Sequence, residues 1–203
     1  MNKILLIGGG GHARSCIDVI ETENQFEIAG VVEKNNAESN INLGYPVIGT
    51  DNDLESLRKK YDFALVTVGQ VRSPNTRIKL YNNLKELDFT LPDIISPYAY
   101  VSKHAIIAEG SIIMHGAIIN TNARIGINCI INNKALVEHD AVISSHCHIA
   151  TGAIVNGEVE VGDESFIGSG STTKECISIG DKVLIGAGVV LKKDVSSNRV
   201  IKN

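Results

Sequence analysis

Apolar residues are spaced in two different ways along this chain, and the change falls near residue 90. Ile4 to Ile7 form an apolar run that meets Gly8-Gly9-Gly10-Gly11, after which Ala13, Cys16, Ile17 and Ile20 recur at helical spacing over residues 12–23. That pattern predicts a strand, a tight turn and a helix. Two more apolar runs, Ile28 to Val32 and Phe63 to Val68, end at Glu33 and Gly69 and alternate with charged helical stretches at 51–60 and 74–87. Strands alternating with helices predict a small parallel sheet.

From Ile94 onward helical spacing disappears, proline is absent after Pro97, and a period of six takes over. With hexads counted from Ile94, the second position runs Ile95, Val101, Ile107, Ile113 and onward to Leu191 without an insertion, and Thr173 is its one non-aliphatic member. The sixth position is Ala, Ser or Cys from Ala99 through Ala153 and varies afterwards. A strict period of six fits neither a helix nor a hairpin sheet, but it fits a solenoid whose short flat faces each take one hexad. Three faces per coil give about 18 residues a turn, so residues 94 to 195 predict about six stacked coils. A β-sandwich needs a turn signal every eight to twelve residues or so and would not hold this phase. The expected architecture is an α/β Rossmann-like domain over 1–92 followed by an all-β parallel β-helix over 93–203.

Composition narrows the partners. The 203 residues are 43% hydrophobic, ample for packed cores, and carry a formal net charge of −4. No lysine- or arginine-rich run offers a footprint for nucleic acid or an anionic membrane. The apolar stretch after Met1 is far shorter than a signal core, and nowhere do about 18 apolar residues run together, so a soluble cytoplasmic protein is expected. Cys16, Cys129, Cys147 and Cys176 are widely spaced with no zinc-like pattern, which points to buried reduced thiols and no metal.

The first turn fits G-x-G-x-x-A as Gly8, Gly10 and Ala13, and Glu33 follows twenty residues beyond Ala13, the spacing of a dinucleotide-binding fingerprint. Backbone amides at a helix start can meet a pyrophosphate, which a nucleotide-sugar offers as well as NAD does. The glycines also suit tight strand-to-helix packing, and the motif alone does not choose.

The pieces Ile125-Gly126, Val161-Gly162-Asp163, Ile167-Gly168, Ile179-Gly180-Asp181 and Ile185-Gly186 resemble the hexapeptide-repeat acyltransferases. Their repeats form a left-handed β-helix, a handedness that the resemblance implies, since ordinary crossover rules favour the right hand. The Gly8-Gly9-Gly10-Gly11-His12 domain joined to repeats carrying Glu138-His139-Asp140 is similar to the bacterial branch of sialic acid O-acetyltransferases and UDP-amino-sugar (bacillosamine-type) or GDP-amino-sugar N-acetyltransferases. The resemblance spans nearly the whole chain. It implies acetyl-CoA as co-substrate, no permanently bound cofactor, and a homotrimer with sites between neighbouring prisms. One departure from the pattern is visible at the end: such chains often continue into a Gly-x-Pro-Ala segment that can contact the coenzyme, where this sequence reads Asn198-Arg199-Val200-Ile201-Lys202-Asn203.

Acyl transfer from a thioester needs a base for the attacking amine or hydroxyl, donors for the developing oxyanion, and positioned substrates. His139 occupies the fourth place of its hexad, at a corner, with Asp140 beside it to orient the imidazole; the pair matches the family's His-acid base. Asn132 corresponds to a family asparagine near the attacking group, and equally fits an asparagine ladder along the solenoid. By resemblance His148 lies near the acyl group, Gly157 supplies an amide to the thioester oxygen or serves a tight corner, and Ile167 and Gly186 line the coenzyme. Gly8, Gly10, Gly11, His12, Glu33 and Gly69 are the nucleotide-sugar candidates, with Arg77 bordering the nucleotide; His104, His115 and His146 are read as surface residues.

The expected activity is acetyl-CoA-dependent N-acetylation of a UDP- or GDP-linked amino-deoxy sugar in bacterial glycan biosynthesis, by direct attack on the thioester with a histidine base. A sialic acid O-acetyltransferase is the alternative, and an NAD-dependent oxidoreductase or a non-catalytic β-helix scaffold are further classes. No motif spells out the sugar, the nucleotide or the acyl length.

Overall fold

The structure, a computed structural model, describes residues 1–34 and 43–202. Strands β1 (Asn2–Ile7), β2 (Phe26–Val32), β3 (Val47–Gly49) and β4 (Phe63–Val66) form a parallel sheet in the spatial order β3-β2-β1-β4. Helices α1 (Gly11–Glu23), α2 (Leu54–Arg58) and α3 (Asn75–Glu86) connect and cover it. Strand β3 has no counterpart in the sequence reading, because three residues after Pro46 are too few to show an alternation. Helix α1 ends where Asn24 turns left-handed (φ 57°) and its N–H bonds to Ile20 O.

Alternation along β1 divides the packing between the two sides of the sheet. Leu5 and Ile7 face a core made with α2 and α3 through Leu54, Leu57, Leu80, Tyr81 and Leu84. Ile4 and Leu6 face α1 through Cys16, Ile17 and Ile20, and that second core continues into Ile94, Ile112, Met114 and Ile130. The α/β part is thus docked on the repeats through shared apolar side chains, each worth roughly 1.5–3 kcal/mol relative to exposure.

From Ile94 the chain winds as a parallel β-helix. Two-residue strands pair eighteen residues apart in strict register, as in Ile94↔Ile112 and Ile130↔His148, which is the period the hexads predict. The first face stacks the strands that begin at Ile94, Ile112, Ile130, His148, Phe166, Leu184 and Val200. The second begins with Tyr100–Val101 and ends with Val190–Leu191, and the third runs from Ile106–Ile107 to Ser178–Ile179. Second- and sixth-place residues meet in the core, for example Ile131, Val137 and Ile143 against Ala135, Ala141 and Cys147. Thr173 keeps its inward place because its hydroxyl oxygen accepts the Asn156 N–H at 2.9 Å, so no buried polar atom is left unmatched there.

The corners explain the rest of the hexad. At many corners that follow the first and second faces the sixth-place N–H donates back to the third-place carbonyl, as from Ala135 to Asn132 O at 3.0 Å, and every fifth-place residue from Gly110 to Gly188 has positive φ. Where that bond is made the turn is type II, whose left-handed third residue admits Asn and Asp besides Gly. The phase extends past Leu191 only with a slip: Leu184 pairs with Val200, sixteen residues on (200 − 184 = 16). Asp194 and Ser197 cap that shortened coil by accepting the N–H groups of Ser178 and Asp181.

Two expectations need correction here. Cys16, Cys129 and Cys147 are buried free thiols, but Cys176 stands exposed because it is a fifth-place corner residue (φ 55°). His115 and His146 are contacts between the two parts rather than plain surface residues. His115 bonds Asp18 of α1 at 2.9 Å and Ser96 at 2.6 Å, and His146 meets Asn128 at 3.0 Å and the edge of Tyr81. Among the described residues no helix is long and apolar enough to cross a membrane.

Candidate active site

Three places gather the residues singled out from the sequence. The first is a crevice of about 600 Å³ at the carboxyl ends of β1, β2 and β4, where the strand order reverses direction between β1 and β4. Gly8 and Glu33 line it, with Val68, Thr76, Lys79 and Asn83 opposite. Gly8 is required by the fold: its φ is +104° and a Cβ would collide with the Val68 side chain. Gly10 and Gly11 are different, since a Cβ on either would meet nothing within 4 Å. Both are exposed at the start of α1, whose N-cap, Gly10, makes no side-chain cap bond, so the helix start keeps free amides for an anion.

Arg77 does not border the crevice. It is 1% exposed, and its guanidinium donates to Val68 O at 2.6 Å, Val66 O at 3.3 Å, and both Asn128 O (2.9 Å) and Asn128 Oδ1 (2.8 Å). Asn128 belongs to a β-helix corner, so Arg77 is a strut between the two parts of the chain. Burial pulls its pKa down to about 10, which leaves it charged at neutral pH.

The second place is the corner between the second and third faces. His139 is 57% exposed there, and its Nδ1 is 2.9 Å from Asp140 Oδ2. Asp140 Oδ1 accepts from Asn122 Nδ2 at 2.6 Å, and Glu138 Oε2 accepts from Asn120 Nδ2 at 2.9 Å and from the His139 N–H at 3.1 Å. The bond to Asp140 raises the His139 pKa, and the nearby Glu138 and Glu158 carboxylates add to it; the Asn122 bond and His139 lower that of Asp140. With Asp140 on Nδ1, the other ring nitrogen, Nε2, is directed toward Gly157 one coil above. A Cβ on Gly157 would lie 2.8 Å from both Cε1 and Nε2 of His139. Gly157 therefore leaves room for that ring rather than relieving a strained corner, and its N–H has no acceptor among the described residues.

The third place is the seam between the α/β part and the first face of the β-helix. Asn132 is here, one corner away from His139. Asn133 N donates to Asn132 Oδ1 (2.7 Å), Asn132 Nδ2 to His148 Nε2 (3.1 Å), and His148 Nδ1 to the Gln70 carbonyl (2.6 Å), a chain of bonds that fixes the His148 tautomer. Burial holds His148 neutral, with its pKa pulled to about 4. His12 lies close by under Gly69, its pKa pulled to about 3 chiefly by burial, and its buried Nε2 has no partner. Within one chain Asn132 and His148 thus meet each other and not His139.

Two coenzyme candidates are corrected or displaced. The Ile167 side chain is wholly buried in the prism core, as its second place in the hexad dictates, so it contacts no ligand. Gly186 sits at a first-to-second-face corner and bonds Ile201 O through its N–H, away from His139. Asn120 and Asn122, which orient the acidic partners of His139, were missed. They occupy the same columns eighteen residues before Glu138 and Asp140, and the coil period was the signal that could have found them.

The family model described as the PglD N-terminal domain matches residues 3–84, and that for the hexapeptide repeat of succinyl-transferase matches residues 158–193. No curated protein matches the chain. Among solved structures, a histidine-to-asparagine mutant of perosamine N-acetyltransferase from Caulobacter crescentus, in complex with CoA and GDP-perosamine, is 30% identical, with 98% of this chain and 93% of that one covered and a TM-score of 0.91. The acetyltransferase domain of PglB from Neisseria gonorrhoeae, in complex with acetyl coenzyme A, is 31% identical over 97% of this chain and 94% of its own, with a TM-score of 0.88. WeeI from Acinetobacter baumannii, at 22% identity, 100% and 97% coverage and a TM-score of 0.85, shares the fold. The chain is an acyltransferase and belongs to the hexapeptide-repeat nucleotide-sugar acetyltransferases with a PglD-type amino-terminal domain.

Proposed function

We propose that this protein transfers the acetyl group of acetyl-CoA to the amine of a UDP- or GDP-linked amino-deoxy sugar, with His139 as the general base. The observation that carries the reading is the corner itself: an imidazole oriented by Asp140, an unpaired Gly157 N–H beside it, and three carboxylates around both. The amine attacks the thioester carbonyl, Nε2 takes its proton, and the Gly157 N–H stabilises the oxyanion. Collapse expels the coenzyme thiolate, which recovers the proton from the imidazolium. The acidic surroundings of Glu138, Asp140 and Glu158 attract a cationic amino sugar and repel the carboxylate of a sialic acid, which favours N- over O-acetylation.

The base must be neutral to act, and its folded pKa is raised, so kcat/KM falls as the pH drops through a value above that of an ordinary histidine. In Asp140→Asn the largest cause of that rise is gone. The acid limb of the profile, followed by coenzyme thiol release, is expected to move to lower pH while the plateau falls because the ring loses its orienting partner. An acid limb that stays in place would remove His139 from the base position.

The same reading includes a homotrimer with sites shared between neighbouring chains, which the placement of the parts supports. The α/β part docks on the first face and His139 stands at the corner opposite that face, which favours an acceptor held in one chain's crevice meeting the base of another. The second face leaves Tyr100, Ile118 and Val190 exposed at 59%, 40% and 63%, an apolar stripe for another prism. His139 and Gly157 then come from one chain, and the crevice, Asn132 and His148 from the next. Two inactive chains should complement each other: His139→Asn mixed and reassembled with Gly10→Asp, which sets a carboxylate where the diphosphate would bind, is expected to regain turnover. Persistent inactivity of the mixed oligomer would mean that each chain is self-sufficient.

A further inference from the structure

His139 and Asp140 project from a corner that is open to solvent, the imidazole 57% and the carboxylate 47% exposed. An exposed ion pair of this kind holds its partners weakly, because water screens the charges and two side chains lose freedom to make it. A base that removes a proton from a bound amine needs its ring kept in a narrower range of orientations than such a pair provides, and sites of this type hold the base through a third group.

The coil below contributes that group. Asn122 occupies the same corner column one coil earlier (140 − 122 = 18). Its Nδ2 donates to Asp140 Oδ1 at 2.6 Å, while Asp140 Oδ2 meets the ring Nδ1 at 2.9 Å. Each carboxylate oxygen has its own partner, so turning the carboxylate away from the ring breaks both bonds. The Asn122 bond is also the largest cause that lowers the Asp140 pKa, ahead of His139 itself. Asn120 is placed differently: it reaches Glu138, which accepts from the main-chain N–H of His139 and not from the ring. The left-handed backbone at residue 122 (φ 61°) would alone suit an asparagine, as at Asn128 and Asn198, but backbone conformation does not account for a side chain aimed at the carboxylate that holds the base.

We propose that Asn122 is a positioning residue for the acetyl transfer, its carboxamide locking the Asp140 carboxylate and, through it, the His139 imidazole with Nε2 turned toward Gly157. The inference rests on the reading of His139 as the base. Three successive coils then supply one link each: Asn122, the His139–Asp140 pair, and Gly157.

Asn122→Gly separates this role from that of a corner residue, since glycine adopts the left-handed conformation without strain and lacks the carboxamide. Its Tm and its KM for acetyl-CoA should stay near wild type. Its kcat with acetyl-CoA and a UDP- or GDP-linked 4-amino sugar should fall about tenfold, the usual worth of one hydrogen bond to a charged group. In an NMR titration of the intact oligomer carrying isotope-labelled histidine, the His139 pKa should move down toward that of an ordinary histidine, though not fully, because Glu138, Glu158 and Glu175 remain at this corner. In an Asp140→Gly background, where the carboxylate is gone, adding Asn122→Gly should cost nothing further in kcat or in pKa. Asn122→Gly with wild-type kcat and an unmoved His139 pKa would leave Asn122 a corner residue only, and an undiminished loss in the Asp140→Gly background would show that it acts by another route; either overturns the proposal. A wild-type protein inactive with every acceptor would overturn the base reading instead, and the two failures are told apart because the titration needs no turnover.

Discussion

Replacing His139 by asparagine is expected to lower turnover by roughly 10²–10⁴, the usual contribution of a positioned general base, while the fold and the oligomer persist. The expectation separates chemistry from stability because of where the residue sits. His139 is 57% exposed at a corner, packs into no core, and makes its one side-chain bond to Asp140, itself half-exposed. Substitution at such a position changes folding free energy by only about 0.5 kcal/mol. Asparagine fills part of the same space and can still donate to Asp140, but it has no nitrogen lone pair that takes up a proton at neutral pH. Coenzyme binding measured by calorimetry should stay near wild type as kcat collapses. Turnover that survived would leave the corner as a binding feature without a base.

Arg77→Met carries the largest expected effect on stability, at a position that takes no part in chemistry. Among the described residues the buried guanidinium has no carboxylate partner, and its donors instead bond the Val66 and Val68 carbonyls and two oxygens of Asn128, tying the end of β4 to a β-helix corner. Methionine matches the stem but leaves those acceptors buried without donors. A loss of roughly 3 kcal/mol is expected, at about 1–3 kcal/mol for an orphaned buried acceptor, and with it a fall in Tm on the order of 10 °C for a chain of this size. An unchanged Tm would mean that the two parts of the chain are held by the apolar seam of Ile4, Leu6, Ile112 and Ile130 alone.

Much of the fold was legible because the hexad is itself a structural constraint. An aliphatic residue at the second place and a small one at the sixth are what a narrow triangular core admits, so the phase of the repeat placed His139 at a corner and Ile167 inside. Applied consistently, the same phase would have removed Ile167 from the coenzyme candidates. The eighteen-residue stacking would likewise have put Asn122 beside Asp140 and Gly157 beside His139. What the sequence pattern did not carry is the docking of the α/β part on the first face. That contact makes Arg77 a strut, turns His115 and His146 into bridging residues, buries His148, and separates Asn132 from His139. It depends on which outward first-place residues are apolar, namely Ile94, Ile112 and Ile130, and these show their meaning only once they are known to share one face.

Coenzyme thiol release from acetyl-CoA, measured with UDP- and GDP-linked 4-amino sugars against free and CMP-linked sialic acids, decides whether the His139 corner acetylates an amino sugar. Release is expected with a nucleotide-linked amino sugar and with no sialic acid. Release with sialic acids alone would make the enzyme an O-acetyltransferase, and silence with every acceptor would contradict the assignment of acetyl transfer to the His139 corner.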